Sequence, residues 1–248
     1  MEDRWTQPAQ NSIDAIAHGM TYSDGSEFDV RLTVDGELVL HHNAKIELEG
    51  PKEGLFPYVE QNHSDDLRAA GFDIFSELIE DPRIKSNWID GCSTACIEIK
   101  RPHPRAKIAG SYFRRGGMTT HISKIMKNIE NQLAPLSIPD RNTVIISFDP
   151  KTMNAHKLSK ITLPVSPISP SIRPWGPAPI RRAMALPSYG KRTVAGIVKH
   201  WQGIGAPVLP LAFKHLHSWS KFLHLGRTFS FKGKSLVKLN QIRRGFPI

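Results

Sequence analysis

Residues 25–43 form two short extended segments around a Val-Asp-Gly turn, and both segments carry polar side chains where a buried strand would be apolar. Side chains alternate between the two faces of a strand, so Glu27 and Asp29 point to the same side. Two adjacent carboxylates repel each other unless a cation or a shared proton lies between them. A hard divalent cation with oxygen ligands meets this need, and we expect His42, which ends the second segment, to lie near the same point.

Several blocks in the first 150 residues resemble, in their order, the glycerophosphodiester phosphodiesterase family. The blocks are Asn11-Ser12, Glu27-Phe28-Asp29-Val30, Thr33, Asp35-Gly36, Val39-Leu40-His41-His42-Asn43, Cys96-Ile97-Glu98-Ile99-Lys100 and Val144-Ile145-Ile146-Ser147-Phe148. The resemblance implies a (β/α)8 TIM-type barrel whose functional residues lie at the carboxyl ends of the strands. It also implies hydrolysis of small glycerophosphodiesters to glycerol phosphate and an alcohol.

The resemblance assigns roles to five residues of this sequence. Glu27, Asp29 and Glu98 would bind a divalent metal ion, Mg²⁺ or Ca²⁺. Lys100, two residues beyond Glu98 on the same strand face, would contact a phosphate oxygen or the carboxylates. His42 would transfer a proton as general acid or base.

Each assignment has a purely structural alternative. Glu27 and Asp29 could be ordinary strand-end carboxylates that pair with Arg31 or Lys100, and His42 could be a hydrogen-bonded barrel histidine. At the level of function, one alternative is a non-catalytic phosphate- or membrane-binding barrel that retained the metal site. Another is a phospholipase D-type barrel that hydrolyses intact lipids.

Relative to the family pattern, the predicted barrel is incomplete at both ends. The family's opening strand ends in His-Arg-Gly, which supplies a second histidine and a phosphate-binding arginine, and no such strand precedes Met1. The closing strand is likewise not found before Ile248. We predict a single domain over 1–248, with a loop and helix insertion at 44–90 and an irregular proline-rich loop at 164–190.

The periodicity of apolar residues predicts alternating helices and strands, which favours βα units and a parallel sheet. The predicted helices are 13–20, 65–81, 122–133, 150–160, 194–201 and 235–244. Besides the two segments in 25–43, the predicted strands are 95–100, 143–148, 161–168 and 208–213. The segment 101–121 is basic, glycine-rich and predicted to be irregular.

Charge divides the chain into two unequal parts. Residues 1–150 contain 16 basic and all 23 acidic residues, whereas residues 151–248 contain 17 basic and no acidic residues. The basic part would steer an anionic diester, bind an anionic membrane surface, or bind nucleic acid. We rank nucleic acid last because no nucleic-acid-binding motif occurs. A solvated basic face is the structural alternative.

The sequence contains no secretory signal pattern and no run of about 18 apolar residues. We therefore expect a cytoplasmic protein, with membrane association through the basic part as the alternative.

Overall fold

A five-stranded sheet with the strand order β2-β1-β3-β4-β5 organises the first part of the chain. The computed structural model describes residues 6–46, 54–106, 117–136, 138, 142–168 and 202–204, and the backbone of 230–231 and 234–235. The strands of the sheet are β1 (Gly25–Leu32), β2 (Leu38–Leu40), β3 (Thr94–Ile99), β4 (Thr143–Ser147) and β5 (Val165–Pro167). β3 runs parallel to both β1 and β4, and β2 returns antiparallel to β1 as a hairpin.

Helices connect and cover these strands. They are α1 (Ile13–Tyr22), α2 (Ser64–Ala69), α3 (Phe75–Glu80), α4 (Pro82–Ile84), α5 (Gly117–Leu133) and α6 (Thr152–Ser159). Shorter 3₁₀ turns lie at Val59–Gln61 and Ala134–Leu136, and a π turn lies at Lys85–Ile89. In the described residues, no helix is both long and apolar enough to span a membrane.

The chain divides into two compact units, Met1–Val165 and Ser166–Ile248. In the second unit the structure describes a two-stranded antiparallel ribbon of β6 (Ser230–Phe231) and β7 (Lys234–Ser235). The predicted helices 194–201 and 235–244, the strand 208–213 and most of the proline-rich loop lie outside the described residues. The assignment of the whole chain to one domain stays a prediction.

Helix α1 begins at a capping serine and presents an apolar face to the core. Ser12 caps α1, because its hydroxyl accepts a hydrogen bond from the Ala15 amide at 3.1 Å. Ile16, Ala17 and Met20 recur at helical spacing and are buried. Together these side chains form the apolar face that packs into the core beneath the sheet.

The strand β1 has one apolar and one polar face. Phe28 and Val30 are fully buried in the core. Strand alternation places Glu27, Asp29 and Arg31 on the opposite face. One strand therefore joins the hydrophobic core to a line of charged groups.

The single helix predicted over 65–81 is wrong, because the structure has two helices, α2 and α3, with a break between them. Gly71 adopts φ +89°, a conformation that favours glycine and ends a helix. Beyond the break, the Asp73 carbonyl accepts a hydrogen bond from the Leu40 amide at 2.9 Å. The Asp73 carboxylate accepts one from the Ile13 amide at 2.8 Å. The break thus places Asp73 outside both helices, where it forms hydrogen bonds to β2 and to the start of α1.

Two further boundaries differ from the prediction. α5 begins at Gly117, inside the segment predicted to be irregular, because its first turn is polar and carries no apolar period. The strand predicted over 161–168 is shorter, Val165–Pro167. The described elements α1, β1, β3, β4 and α6 agree with the predicted ones to within a few residues, whereas α4, the π turn and the ribbon of β6 and β7 were not predicted.

Candidate metal site

Three carboxylates converge on neighbouring strands of the sheet. Asp29 on β1 is the register partner of Glu98 on β3, and Glu27 lies two residues before Asp29 on the same face. One oxygen from each of the three carboxylates lies within 4.8 Å of the others. Asp29 and Glu98 are buried, with 3% and 6% of their surfaces exposed, whereas Glu27 is exposed. The structure thus brings together the three predicted metal ligands, which we call the carboxylate triad.

Lys100 lies directly against the triad. Its ammonium nitrogen is 2.8 Å from Asp29 Oδ1 and also forms an ion pair with Glu98. Burial alone would lower the pKa of Lys100, but hydrogen bonds and attraction from these two carboxylates outweigh burial and raise it. Lys100 is therefore a cation here. Of its two predicted contacts, a phosphate oxygen or the carboxylates, the structure shows the contact with the carboxylates.

Asn11 orients Asp29 from outside the sheet. The Asn11 amide donates to Asp29 Oδ2 at 2.8 Å, and its side-chain oxygen accepts from the Asp29 backbone amide at 2.9 Å. Asn11 is buried and adopts φ 60°, a left-handed conformation that asparagine tolerates better than most residues. In the sequence Asn11 stood out only as part of the family resemblance, with no role of its own, so its contact with the triad was missed.

The positive charge of Lys100 does not fully offset the repulsion among the three carboxylates of the triad. Although the residue as a whole is exposed, the carboxyl group of Glu27 lies among the triad, and its pKa rises to about 7, first through desolvation and then through repulsion from Asp29 and Glu98, with Lys100 acting against the rise. Burial also raises the pKa of Glu98, although Lys100 opposes this effect. Crowded carboxylates of this kind gain from an added positive charge. Their hard oxygen donors suit Mg²⁺ or Ca²⁺, so the residues present fit the predicted ion.

Arg31 continues the same face of β1 beyond the triad. It is 4% exposed and forms a buried ion pair with Glu60, whose Oε1 lies 2.7 Å from Arg31 Nη1. The predicted alternative pairing of Arg31 with Glu27 or Asp29 is not the one observed. Arg31 instead donates to the carbonyls of Arg101 and His42, each at 2.8 Å.

His42 follows β2 on the solvent side. Its imidazole is exposed, and Nδ1 lies 2.9 Å from the Asn43 side-chain oxygen. Its charge acts on Glu98 and lowers the pKa of that carboxyl, against the larger effect of burial. His42 is thus within electrostatic range of the triad. The neighbouring His41 points elsewhere and packs edge-on against Phe72, with ring centroids 5.0 Å apart.

The carboxyl ends of β3 and β4 adjoin the site. Ser147 donates to the Ile99 carbonyl at 2.9 Å and accepts from the Asp149 amide at 3.2 Å, so it is a buried structural hydroxyl. Asp149, also buried, lies 3.4 Å from Arg101 Nη1. Phe148 between them is half exposed. Asp149 was not among the residues that the sequence singled out.

Several solved structures with a similar fold are glycerophosphodiester phosphodiesterases. One from Parabacteroides distasonis matches with a TM-score of 0.56 at 18% identity, covering 97% of this chain and 84% of its own. A putative glycerophosphoryl diester phosphodiesterase from Silicibacter pomeroyi gives 0.53 at 16% identity, covering 79% and 68%. A putative glycerophosphodiester phosphodiesterase from Galdieria sulphuraria gives 0.51 at 14% identity, covering 82% and 68%. No protein-family model and no curated protein matches this sequence.

The chain therefore has the α/β fold of the glycerophosphodiester phosphodiesterases, which are TIM barrels, and the predicted resemblance is confirmed at the level of the fold. The described residues contribute the five strands of one sheet. The chain spans about two thirds of the length of two of these structures. At such low identities the likeness establishes the fold and not the activity.

Proposed function

We propose that this protein is a metal-dependent phosphodiester hydrolase whose substrates are small glycerophosphodiesters. The observation that carries the proposal is the convergence of Glu27, Asp29 and Glu98 beside Lys100, in a fold shared with glycerophosphodiester phosphodiesterases. Glycerol phosphate and an alcohol would be the products.

The proposed roles follow from charge and reach. A divalent ion held by the triad would neutralise the diester charge and polarise a phosphoryl oxygen. Lys100 would bind a phosphate oxygen when ion binding weakens its pairing with Asp29 and Glu98. His42 would exchange the proton, because histidine is the side chain that most readily does so near neutral pH. Asn11 would hold Asp29 in its binding orientation.

The acid-free part of the sequence would add long-range attraction. Residues 151–248 contain 17 basic residues and no acidic ones, a charge that would steer an anionic diester toward the protein. The same charge would give weak affinity for an anionic membrane surface. We propose a cytoplasmic enzyme that acts on dissolved diesters, with membrane contact as a secondary property.

The test is release of glycerol phosphate from glycerophosphocholine and glycerophosphoethanolamine in Mg²⁺, Ca²⁺ or EDTA. We expect release that requires the ion and is lost in Glu27→Gln and Glu98→Gln. His42→Ala should lower turnover by about 10²- to 10⁴-fold, the usual contribution of a general acid or base. Glu80→Gln is the matched control, because Glu80 pairs with Lys85 in an exposed ion pair and not with the triad.

Three other outcomes decide against the proposal in different ways. Ion binding without turnover by the folded protein would favour the non-catalytic phosphate- or membrane-binding alternative. Hydrolysis of intact phospholipids in vesicles but not of soluble diesters would favour the phospholipase D-type alternative. Wild-type protein that binds neither Mg²⁺ nor Ca²⁺ would refute the metal site itself.

A further inference from the structure

We propose that Arg31 is a positioning residue that fixes the loop carrying His42 against the loop that follows Lys100. Its guanidinium forms three hydrogen bonds to groups far apart in the sequence, and two of these groups belong to the segments that carry His42 and follow Lys100. The kinetic consequence of this role rests on the function proposed above, whereas its structural consequence does not.

The hydrogen bonds of Arg31 join three segments. One nitrogen, Nη1, donates to Glu60 at 2.7 Å and to the Arg101 carbonyl at 2.8 Å. The other, Nη2, donates to the His42 carbonyl at 2.8 Å. Glu60 belongs to the 3₁₀ turn Val59–Gln61, Arg101 directly follows Lys100, and His42 directly follows the hairpin. Arg31 therefore links the backbone of His42 to the backbone of Arg101, the residue that directly follows Lys100.

Burying the two charged side chains of Arg31 and Glu60 costs desolvation free energy, so the pair must contribute something besides stability. Arg31 and Glu60 are 4% and 2% exposed, and the desolvation of a buried pair often cancels its attraction. An apolar pair of similar size would stabilise the fold about as well. The planar guanidinium, however, spans two carbonyls and a carboxylate at fixed angles, which an apolar side chain cannot do. We conclude that the pair contributes orientation more than stability.

A second contact joins the same loops and keeps them from separating completely. Tyr58 stacks on His103, with ring centroids 4.4 Å apart and planes 10° apart. Tyr58 also bridges to Lys45, three residues beyond His42. Loss of Arg31 should therefore loosen the two loops without unfolding them.

The experiment compares three changes at the pair. Arg31→Met combined with Glu60→Leu removes both charges together, so neither charge is left buried without its partner, and the carbonyls of His42 and Arg101 lose their shared donor. Arg31→Lys keeps a charge opposite Glu60 but loses the fork that spans both carbonyls. Glu60→Gln keeps an acceptor for Arg31 and both carbonyl bonds, but it leaves the buried guanidinium without a counter-ion, so it should lower the free energy of unfolding. Arg83→Met is the matched control, because Arg83 pairs with Asp14 and Asp81 at an exposed surface.

Hydrogen exchange provides a readout that needs neither metal nor turnover. In the double variant and in Arg31→Lys we expect faster amide exchange at 41–46 and 101–106, by about tenfold or more, with α1 and α6 unchanged. Arg83→Met should leave both loops as in the wild type, and Glu60→Gln should change exchange in them less than Arg31→Lys, because the guanidinium still donates to both carbonyls. Unchanged exchange in the double variant and in Arg31→Lys would overturn the proposal. If the double variant does not fold, Arg31→Lys alone decides.

Kinetics separates positioning from a general structural role. We expect kcat in the double variant to fall about 10- to 100-fold, as for a catalytic group displaced by about 1 Å, with little change in KM or in the Kd for Mg²⁺. A rise in KM with unchanged kcat would contradict the role of Arg31 in holding His42. Failure of the wild type to turn over would refute the proposed enzyme, and the exchange experiment would still decide the role of Arg31.

Discussion

The three carboxylates of the triad depend on residues that do not belong to it. Asn11 holds both the carboxylate and the backbone amide of Asp29, and Lys100 occupies the space between Asp29 and Glu98. Such supporting groups orient metal ligands and tune their affinity. At the scale of single residues, the site is therefore larger than the set of its ligands.

Asn11→Gly should weaken divalent-ion binding by about 10- to 100-fold, the usual effect of losing a group that orients a metal ligand. Asn11→Ala should weaken it equally and also lower the free energy of unfolding by roughly 1–2 kcal/mol more, because alanine pays for φ 60° where glycine does not. Titration calorimetry with Mg²⁺ and chemical denaturation measure the two effects. Unaltered ion affinity in both variants would show that Asp29 keeps its binding orientation without Asn11.

His121 should make the protein sensitive to acid. Burial lowers its pKa to about 4, with smaller contributions from Lys124 and Arg31, whereas the unfolded chain has the ordinary value of 6.5. Because the unfolded state binds the proton more tightly, stability is full above pH 6.5 and falls as pH drops toward 4. The loss amounts to about 3 kcal/mol for this group. Denaturant unfolding from pH 4 to 7 measures it.

The matched variant for this prediction is His121→Gln, which does not titrate. Its stability should vary less between pH 6.5 and 4 than that of the wild type, whatever its absolute value. Parallel curves for the two proteins would show that His121 does not contribute to the acid sensitivity.

At the scale of elements, the parallel pairing of β1 and β3 builds the site. The register that places Asp29 beside Glu98 also places Gly25 beside Thr94. A Cβ at Gly25 would lie 2.1 Å from the Thr94 carbonyl oxygen, a distance no real contact allows. The close approach of the backbones at the start of both strands thus sets the register that brings the carboxylates together.

Gly25→Ala should lower the free energy of unfolding by about 2 kcal/mol or more, because the strands must move apart or shift. Thermal and denaturant unfolding measure this change. Gly203→Ala is the control, since a Cβ there meets no atom within 4 Å. A Gly25→Ala protein as stable as the wild type would show that the register tolerates the displacement.

The sequence predicted the parts of the site that depend on strand periodicity. Alternation places Glu27 with Asp29 and Glu98 with Lys100, and the structure confirms that these four side chains lie together. The contact between Arg31 and Glu60 was not predictable, because it depends on the path of the chain between β2 and α2. The helix break at Gly71 was missed for a similar reason, since it serves the pairing of Ile74 with Val39.

At the scale of the whole molecule, ion binding should raise the free energy of unfolding. An ion that binds only the folded state at 100 times its Kd adds about 2.7 kcal/mol to the free energy of unfolding. For a unit of this size that corresponds to a rise in Tm of about 5 to 10 °C. Differential scanning calorimetry in Mg²⁺, Ca²⁺ and EDTA measures the shift.

Because the chain divides into Met1–Val165 and Ser166–Ile248, two transitions are a natural outcome. Only the transition of the first unit, which contains the triad, should respond to the ion. Glu98→Gln should abolish the response. An equal shift in that variant would mean that the ion acts elsewhere on the protein.

The hydrogen bonds of Arg31 to distant residues also determine how early the site can form while the chain is being synthesised. Arg31 and Arg101 are separated by 70 residues. Chains are made at about 5–20 residues per second, so β1 leaves the ribosome several seconds before β3 and Arg101. During that interval Glu27, Asp29 and Arg31 have neither strand β3 nor the residues beyond it. The nascent hairpin must remain soluble with its charged face uncovered until residue 101 emerges.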